Sequence, residues 1–368
     1  MNKFIISGGG TGGHIFPAVS IANKLKEVYP DSEILFVGAE GRMEMEKVPA
    51  AGYKIIGLPI EGLRRSFSFS NFRVIYKLIK SLFLARKILK EFKPNITIGV
   101  GGYASAPLLW VANSMGIPTL IQEQNGFAGL TNKILGKKAK KICVAYEGME
   151  RFFLKEKIVI SGNPIRSEIK PSTPELIEEG LKFYNLDPTK KHIFIVGGSL
   201  GSRTLNNSIK KWIAGGCPNG ENIELIWQCG KYYMSEVDDF MKINANKNIK
   251  YFDFIKRMDL AYAVADIVIS RSGASSISEL CASKKASIFV PSPNVTEDHQ
   301  THNAMALVNK GAGLIIRDDE AESKLMDCAC TLIEDSEKIA LMEKNIGALA
   351  KLNAAETIVE EINKILMY

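Results

Sequence analysis

The sequence of 368 residues predicts an α/β protein with two domains, each built on a parallel sheet. Short apolar runs at 3–7 and 192–196 are each followed by a glycine-rich turn, at 8–14 and 197–201. A buried strand that feeds a glycine turn and then a helix is typical of dinucleotide-binding or phosphate-binding units. Since the chain is long enough for two cores, we expect two such domains facing a cleft that holds a phosphorylated ligand.

Apolar runs alternate with helical patterns throughout the first half, as in a parallel sheet covered by helices. Helices are expected at 17–28, after the first glycine turn, and at 72–92, before a proline. The predicted strands are 4–7, 33–37, 95–100, 118–122 and 142–145. Ligands bind beyond the carboxyl ends of such strands, and His14, Tyr103 and 123–125 follow predicted strand ends.

The second half repeats this alternation after a connecting stretch. Residues 159–164 lead out of the first domain, and the polar, proline-containing stretch 170–191 is interpreted as a connection. The predicted strands of the second domain are 192–196, 223–229, 249–254, 267–270, 287–290 and 313–316. Residues 335–367 have a helical period, and they either cap the second domain or cross back to the first.

The composition is that of an ordinary globular protein, with 46% hydrophobic and 24% charged residues. No apolar run approaches the roughly 18 residues of a membrane span, and glycines interrupt the N-terminus too early for a signal peptide. The chain is therefore expected in the cytoplasm.

The six cysteines include no CxxC pair and are expected to be reduced. With four histidines and neither HExxH nor Asp-x-Asp, no metal site is predicted.

The stretch 64–90 contains eight basic residues and no acidic one, interleaved with aromatic and aliphatic side chains. Nucleic acid is one possible partner, but the apolar content fits an anionic membrane surface better. The alternative is an amphipathic helix that buries Ile75, Leu78, Ile79 and Leu82 in the core.

The first glycine turn matches GxGxxG, which alone is weak evidence for a nucleotide. An NAD site would need an acidic residue at the end of the second strand, and Glu40 comes late and after a glycine. His14 follows the turn and is suited to proton transfer near neutral pH, although it could also only bond to the backbone.

A second candidate site follows the predicted strand at 267–270. The small-residue turn 270–275 leads into a helix whose free N–H groups could bind a phosphate. Glu279 lies one turn further along and could accept hydrogen bonds from two ribose hydroxyls, unless it is an ordinary surface acid. The polar loop 294–303 suits a hydroxyl-rich ligand or is an exposed connection.

These motifs occur in one order along the chain: GGTGGH at 9–14, GGY at 101–103, EQNG at 123–126, AGLTN at 128–132, GNPIR at 162–166, GGS at 197–199, SGA at 272–274 with Glu279, and HQ at 299–300 with NA at 303–304. Together they resemble the MurG family, the transferases that add N-acetylglucosamine to undecaprenyl-diphospho-muramoylpentapeptide in peptidoglycan synthesis. The resemblance extends from Phe4 to about Ala304 and implies a role in building the bacterial cell wall.

The resemblance implies a GT-B fold, with two Rossmann-like domains at 1–163 and 164–345 and a C-terminal helix at 346–368 that returns to the first domain. It implies an inverting, metal-independent transfer from UDP-N-acetylglucosamine, without a cofactor, at the cytoplasmic face of the membrane. The lipid-linked acceptor would bind the first domain and the sugar nucleotide the second, and nucleic acid is not an expected partner.

The resemblance also implies roles for individual residues. His14 is the first choice for general base and Glu123 the second. Acceptor contacts are expected at Gly10, His14, Gly102 and Tyr103. Donor contacts are expected at Thr11, Gly12, Gly13, Asn125, Arg166, Ser199, Ile255, Ala274, Ser275, Glu279, His299 and Gln300. Membrane contacts are expected at Phe72, Ile75, Ile79, Leu82 and Phe83, with Trp110 nearby.

Three positions depart from the family pattern. Leu200 stands where members often have glutamine, which removes a possible polar contact to the donor. Gln122 stands where they often have histidine, and His299-Gln300 where many have two glutamines. The rival interpretations are another lipid glycosyltransferase, a sugar-nucleotide epimerase, a dehydrogenase, and a non-catalytic nucleotide-binding module at the membrane.

Overall fold

A computed structural model describes residues 1–61, 70–198, 200–295 and 298–367, and the side chains of 70–73 are not described. The chain divides into two compact units, Met1–Arg166 with Leu352–Tyr368, and Ser167–Lys351. The sequence-based boundaries were placed at 163/164 and 345/346. The units change at 166/167 and 351/352.

The first unit is a parallel sheet with helices packed against it. Its elements are β1 (Lys3–Gly8), α1 (Gly12–Val28), β2 (Glu33–Ala39), α2 (Glu44–Ala50), β3 (Lys54–Leu58), α3 (Ser70–Phe92), β4 (Ile96–Gly101), α4 (Ser105–Ser114), β5 (Thr119–Glu123), α5 (Leu130–Gly136), β6 (Lys141–Val144) and β7 (Ile158–Ile160). Over the described residues the sheet has seven strands in the order β3-β2-β1-β4-β5-β6-β7, all parallel. The order reverses at β1 and β4, which is where α/β sheets bind ligands.

Helix α1 begins earlier than predicted, at Gly12 rather than at residue 17. Pro17 lies inside the helix and not at its start, where it removes one backbone hydrogen bond. In the first unit the prediction missed the helices α2, α4 and α5 and the strands β3 and β7. Strand β3 is at the sheet edge and only half buried, so its apolar pattern is weak.

The second unit repeats the architecture. Its elements are α6 (Pro174–Tyr184), β8 (Lys191–Val196), α7 (Arg203–Ala214), β9 (Ile223–Gln228), α8 (Met234–Ile243), β10 (Ile249–Phe252), α9 (Met258–Val264), β11 (Ile267–Ser270), α10 (Ala274–Ser283), β12 (Ser287–Phe289), α11 (His299–Val308), β13 (Leu314–Ile315), α12 (Ala321–Ile333) and α13 (Ser336–Gly347). The strands of its described part run parallel in the order β10-β9-β8-β11-β12-β13.

The interpretation of 170–191 as a plain connection is wrong, because it contains the three-turn helix α6. Thr173 is the N-cap, and its hydroxyl accepts a hydrogen bond from the Leu176 N–H at 3.3 Å. Pro174 occupies the first helical position, where its missing N–H costs nothing. The proline therefore marked a helix start.

The C-terminal stretch forms two helices, of which α13 belongs to the second unit and α14 (Ala354–Leu366) to the first. Ile358, Val359 and Ile362 of α14 are buried in a core cluster with residues of α1 and β1. The Tyr29 hydroxyl adds a hydrogen bond to the side-chain oxygen of Asn363 at 2.6 Å. The last helix thus completes the core of the first unit.

In the described part of the chain, no helix has the length and apolar character needed to cross a membrane.

Candidate functional site

Two glycine turns meet at the carboxyl edge of the first sheet, after β1 and β4. The Gly9 N–H donates to the Gly101 carbonyl at 3.3 Å. A Cβ on Gly102 would lie 2.5 Å from the Gly9 carbonyl oxygen, and Gly102 has φ +90°. Only glycine meets both demands, since a side chain would clash and would disfavour this backbone. The predicted residues Gly10 and Gly102 are therefore brought together.

His14 lies against the second of these turns. A Cβ on Gly101 would be 2.4 Å from His14 Cδ2, so the imidazole packs directly on that glycine. His14 Nδ1 is 3.2 Å from the Thr11 hydroxyl. If Nδ1 holds the proton and donates to Thr11, Nε2 is left as an acceptor, which is the tautomer that a general base requires. The Thr11 hydroxyl is thus a hydrogen-bond partner of the His14 ring.

Glu44, which the sequence analysis missed, occupies the other side of the first turn. It is 1% exposed and accepts hydrogen bonds from the Gly10 N–H at 2.8 Å and the Ala39 N–H at 2.9 Å. A Cβ on Gly9 would lie 2.2 Å from Glu44 Oε1. The chain itself therefore supplies a carboxylate to the Gly10 amide. The sequence signal is weak, because a Glu at a helix start is common.

Glu123, at the end of β5, organises the loop that follows it. Its carboxylate accepts hydrogen bonds from the Asn125 N–H, the Gly129 N–H and the Asn132 side-chain amide, at 3.1, 3.1 and 2.9 Å. Burial raises the pKa of Glu123 above its ordinary value, and these hydrogen bonds partly offset the effect. Because its partners are all donors, the geometry favours a loop-ordering carboxylate over a base.

Gln122 is fully buried beside Glu123 and belongs to a chain of amides. Its Nε2 donates to Asn163 Oδ1 at 2.9 Å, and Asn163 Nδ2 donates to the Gln124 carbonyl at 3.1 Å. Gln122 is therefore occupied in linking β5 to the segment that leaves β7.

Elsewhere in the first unit, Tyr103 is half exposed, and the Arg166 guanidinium lies 5.3 Å from the centre of the Phe16 ring.

In the second unit the turn between β11 and α10 is held by Arg271. The guanidinium donates to the carbonyls of Val290 and Pro291 and to the Ser202 hydroxyl, and it pairs with Asp318. Because these acceptors all belong to the chain itself, Arg271 stabilises the conformation of the turn. Helix α10 begins at Ala274 with Gly273 as an extended N-cap, so the N–H groups of its first turn point towards the strand ends.

Glu279 lies on α10 and is 6% exposed, so the surface-acid alternative is wrong. Tyr262, on α9, donates its hydroxyl to Glu279 Oε2 at 3.2 Å. A buried carboxylate with a fixed orientation is suited to binding hydroxyl groups.

Gln228, a second residue missed from the sequence, connects two parts of this edge. Its Oε1 accepts from the Ile255 N–H at 2.9 Å, and its Nε2 donates to the Gly198 carbonyl at 3.0 Å. Gly198 belongs to the second glycine turn and Ile255 follows β10. The predicted Ser199 lies outside the described residues.

The loop before α11 is closed by Gln300. Its Oε1 accepts from the Ser292 N–H at 2.9 Å, and its carbonyl accepts from the Ser272 hydroxyl at 2.8 Å. Gln300 is thereby fixed beside the turn at 272–275, and the donor end of its amide can face a ligand. His299 is the preceding residue and begins α11.

Helix α3 contains the described part of the basic, apolar stretch. Ile75, Ile79 and Phe83 are exposed, at intervals of four residues along one face. Leu82 is partly buried and packs against the core with Leu78, so the core takes up part of the side chain predicted to contact the membrane. The side chain of Phe72 and residues 62–69 lie outside the described part.

Among the described residues, no group of three or more His, Cys, Asp or Glu side chains is arranged to hold a metal.

Family profiles match both halves of the chain. The N-terminal domain of glycosyltransferase family 28 matches residues 4–144, and the C-terminal domain of that family matches residues 192–362. The chain belongs to glycosyltransferase family 28. The family resemblance and the class of enzyme predicted from the sequence are thereby confirmed.

Full-length relatives support a narrower assignment within family 28. A protein of Parabacteroides distasonis is 55% identical over 99% of this chain and 98% of its own length. One of Bacteroides thetaiotaomicron is 53% identical over 99% of this chain and 97% of its own. Both are named UDP-N-acetylglucosamine--N-acetylmuramyl-(pentapeptide) pyrophosphoryl-undecaprenol N-acetylglucosamine transferase.

A crystal structure of Acinetobacter baumannii MurG is similar to this family 28 chain in three dimensions. It has a TM-score of 0.75 and 27% sequence identity, with 99% of this chain and 100% of that chain covered. The predicted α/β class, with two Rossmann-like parallel-sheet domains of the GT-B type, is confirmed.

Proposed function

We propose that this chain transfers N-acetylglucosamine from UDP-N-acetylglucosamine to the 4-hydroxyl of the muramoyl sugar of undecaprenyl-diphospho-N-acetylmuramoyl-pentapeptide, with inversion. The observation that carries the proposal is full-length identity above 50% to relatives named for this transfer. The buried carboxylate of Glu279 and the N-terminus of α10 support the proposal, because such groups are suited to binding the ribose and the phosphates of a nucleotide.

The second unit supplies most of the proposed donor contacts. Glu279 accepts hydrogen bonds from the ribose, and the N–H groups at Ala274 and Ser275 bind the diphosphate, since a helix N-terminus favours anions. The Ile255 backbone contacts the uracil, and Gln300 meets hydroxyls of the sugar. Further donor contacts are proposed for Thr11, Gly12, Gly13, Asn125, Arg166, Ser199 and His299.

The first unit is the proposed acceptor site, with His14 as general base. Gly10, Gly102 and Tyr103 are proposed to contact the acceptor. Because Glu44 already takes the Gly10 N–H, the contact at Gly10 is through its carbonyl or Cα and not through its amide. Glu123 orders the loop 125–132 of this site through its hydrogen bonds.

Association with the cytoplasmic face of the membrane is proposed for helix α3. Ile75, Ile79 and Phe83 form an exposed apolar stripe, and Lys80 and Arg86 are exposed on the same helix. Apolar side chains that enter the interface while basic ones meet anionic headgroups give peripheral binding.

The proposal is tested by following UDP release from UDP-N-acetylglucosamine in EDTA, with and without a short-chain analogue of the lipid acceptor. Release that depends on the acceptor is the expected result. Release without acceptor would indicate hydrolysis or epimerisation. UDP binding without release, under conditions in which a characterised transferase turns the same analogue over, would indicate a binding module.

A further inference from the structure

We propose that Glu44 is a positioning residue for the transfer, because it fixes the glycine turn that supports His14, an inference that rests on the proposed function. Glu44 is the first residue of α2, the helix that follows β2. Its side chain is 1% exposed and joins the end of β2 to the turn after β1. Because it is buried, Glu44 acts through the backbone that it holds and not by contact with a substrate.

The two carboxylate oxygens of Glu44 accept from two different backbone N–H groups. Oε2 accepts from Gly10 at 2.8 Å, and Oε1 accepts from Ala39 at 2.9 Å. A carboxylate is an acceptor at both oxygens, whereas a side-chain amide presents one acceptor and one donor. A glutamine of the same shape would therefore oppose one of the two N–H groups, so the link between the turn and β2 requires a carboxylate.

Two glycines leave the space that the Glu44 side chain occupies. A Cβ on Gly9 would lie 2.2 Å from Glu44 Oε1, and a Cβ on Gly38 would lie 2.6 Å from Glu44 Cγ. Both distances are shorter than real contacts of a Cβ atom, so a side chain at either position would displace Glu44. Gly38 lies on β2 and has no proposed contact with donor or acceptor, so a substitution there moves Glu44 without changing the turn itself.

The turn that Glu44 holds supports the turn after β4 and, through it, His14. The Gly9 N–H donates to the Gly101 carbonyl at 3.3 Å, and the imidazole of His14 packs on Gly101. A shift of the backbone at Gly9 and Gly10 is therefore passed to Gly101 and to the imidazole. Because a displacement of about 1 Å can lower a rate by roughly 10²-fold, a residue that holds this turn affects proton transfer.

The inference is tested by acceptor-dependent turnover, calorimetric titration with UDP and thermal unfolding of the full-length protein and its variants. E44Q keeps the shape of the side chain but opposes one N–H. G38A displaces Glu44 and leaves its charge in place. E44A and E44A/G38A form a double-mutant cycle with G38A, because the shorter alanine leaves room for the new Cβ. E224Q is the matched control, because Glu224 is also a buried carboxylate that accepts a backbone N–H, from Asp187 at 2.7 Å, at the amino end of β9.

E44Q should lower kcat by about tenfold or more and leave UDP affinity within about twofold, because the proposed ribose and diphosphate contacts at Glu279, Ala274 and Ser275 do not involve this turn. G38A should lower kcat by about threefold or more, whereas E44A/G38A should match E44A within about twofold. E224Q should lose thermal stability while keeping kcat, since its hydrogen bond is remote from both glycine turns of the first unit.

A normal kcat in folded E44Q would overturn the inference and leave the proposed function intact. So would an effect of G38A that is equally large in the E44A background, or a loss of UDP affinity as large as the loss of kcat, which would indicate general disruption. If the variants of Glu44 do not fold, G38A decides, because an unchanged kcat in G38A would contradict the role of Glu44. A wild-type protein without acceptor-dependent turnover would overturn the proposed function, and the inference with it.

Discussion

At the scale of single residues, His14 is the proposed general base of the first unit. Its ring packs on Gly101, and its Nδ1 lies next to the Thr11 hydroxyl. Packing on Gly101 and the contact with the Thr11 hydroxyl therefore help to orient the ring. A base positioned in this way typically contributes about 10²–10⁴-fold to a rate.

Replacing His14 with alanine should lower kcat by about 10²–10⁴-fold and leave UDP affinity within about twofold, because His14 is proposed to act on the acceptor hydroxyl and not to bind the donor. Steady-state kinetics and calorimetry measure the two quantities. H302A, which removes an exposed histidine, is the control. Near-normal turnover by H14A would remove the proton-transfer role.

For Glu279 the expected effect is on binding. E279Q keeps the shape but removes the charge from a buried acceptor that Tyr262 orients. Because a hydrogen bond to a charged group contributes about 1.5–3 kcal/mol, UDP should bind roughly 10–100-fold more weakly. Calorimetry measures this, and unchanged affinity would exclude Glu279 from the ribose site.

Part of the site could be predicted from local sequence and part could not. His14 directly follows a glycine turn, and Glu279 lies one helical turn beyond a small-residue turn, so both could be predicted from their local motifs. Glu44 and Gln228 act on backbone atoms at least 27 residues away, at Gly10 and Ile255. Such contacts are created by strand order, which residue spacing does not encode.

At the scale of elements, α3 is divided between two environments. Leu78 and Leu82 pack against the core, whereas Ile75, Ile79 and Phe83 face outward, and Phe83 is 72% exposed. The alternative that buries all four residues in the core is therefore wrong for Ile75 and Ile79, and the membrane contact of the outward face stays a prediction. A sequence with apolar residues on most of its circumference does not reveal which face is covered.

F83E should weaken binding to vesicles containing anionic phosphatidylglycerol by about tenfold or more, since it replaces an inserting ring by a repelled charge. Turnover of a water-soluble acceptor analogue should not change. F183E, which alters a 57% exposed aromatic residue in the second unit, is the control for co-sedimentation. Equal vesicle binding by wild type and F83E would argue against this surface.

The strands were predicted more reliably than the helices between them. Buried parallel strands such as β1, β8 and β11 are continuous apolar runs, which the sequence displays directly. Helix α6 was missed because the polar, proline-containing stretch around it was interpreted as a connection. Edge strand β3 was missed because it is only half buried.

At the scale of the whole molecule, the C-terminal segment that contains α14 belongs to the same unit as residues 1–166. Helix α14 buries Ile358, Val359 and Ile362 in the core cluster that contains α1. Each such side chain contributes about 1.5–3 kcal/mol when fully buried. The first unit is therefore not a continuous segment of sequence.

A fragment of residues 1–166 should consequently be much less stable than the same fragment joined by a flexible linker to residues 352–368. Urea unfolding followed by circular dichroism compares the two. The joined protein should unfold cooperatively, and the fragment alone should show little or no folded baseline. Equal midpoints would mean that α14 contributes nothing to the first core.

The most direct test of the proposed transfer is analysis of the lipid product made by the wild-type protein in EDTA. Mass spectrometry should show the gain of one N-acetylhexosamine residue, and NMR should show a β linkage to the 4-oxygen of the muramoyl sugar. An acceptor of unchanged mass while UDP is released, or an α linkage, would contradict the proposed reaction.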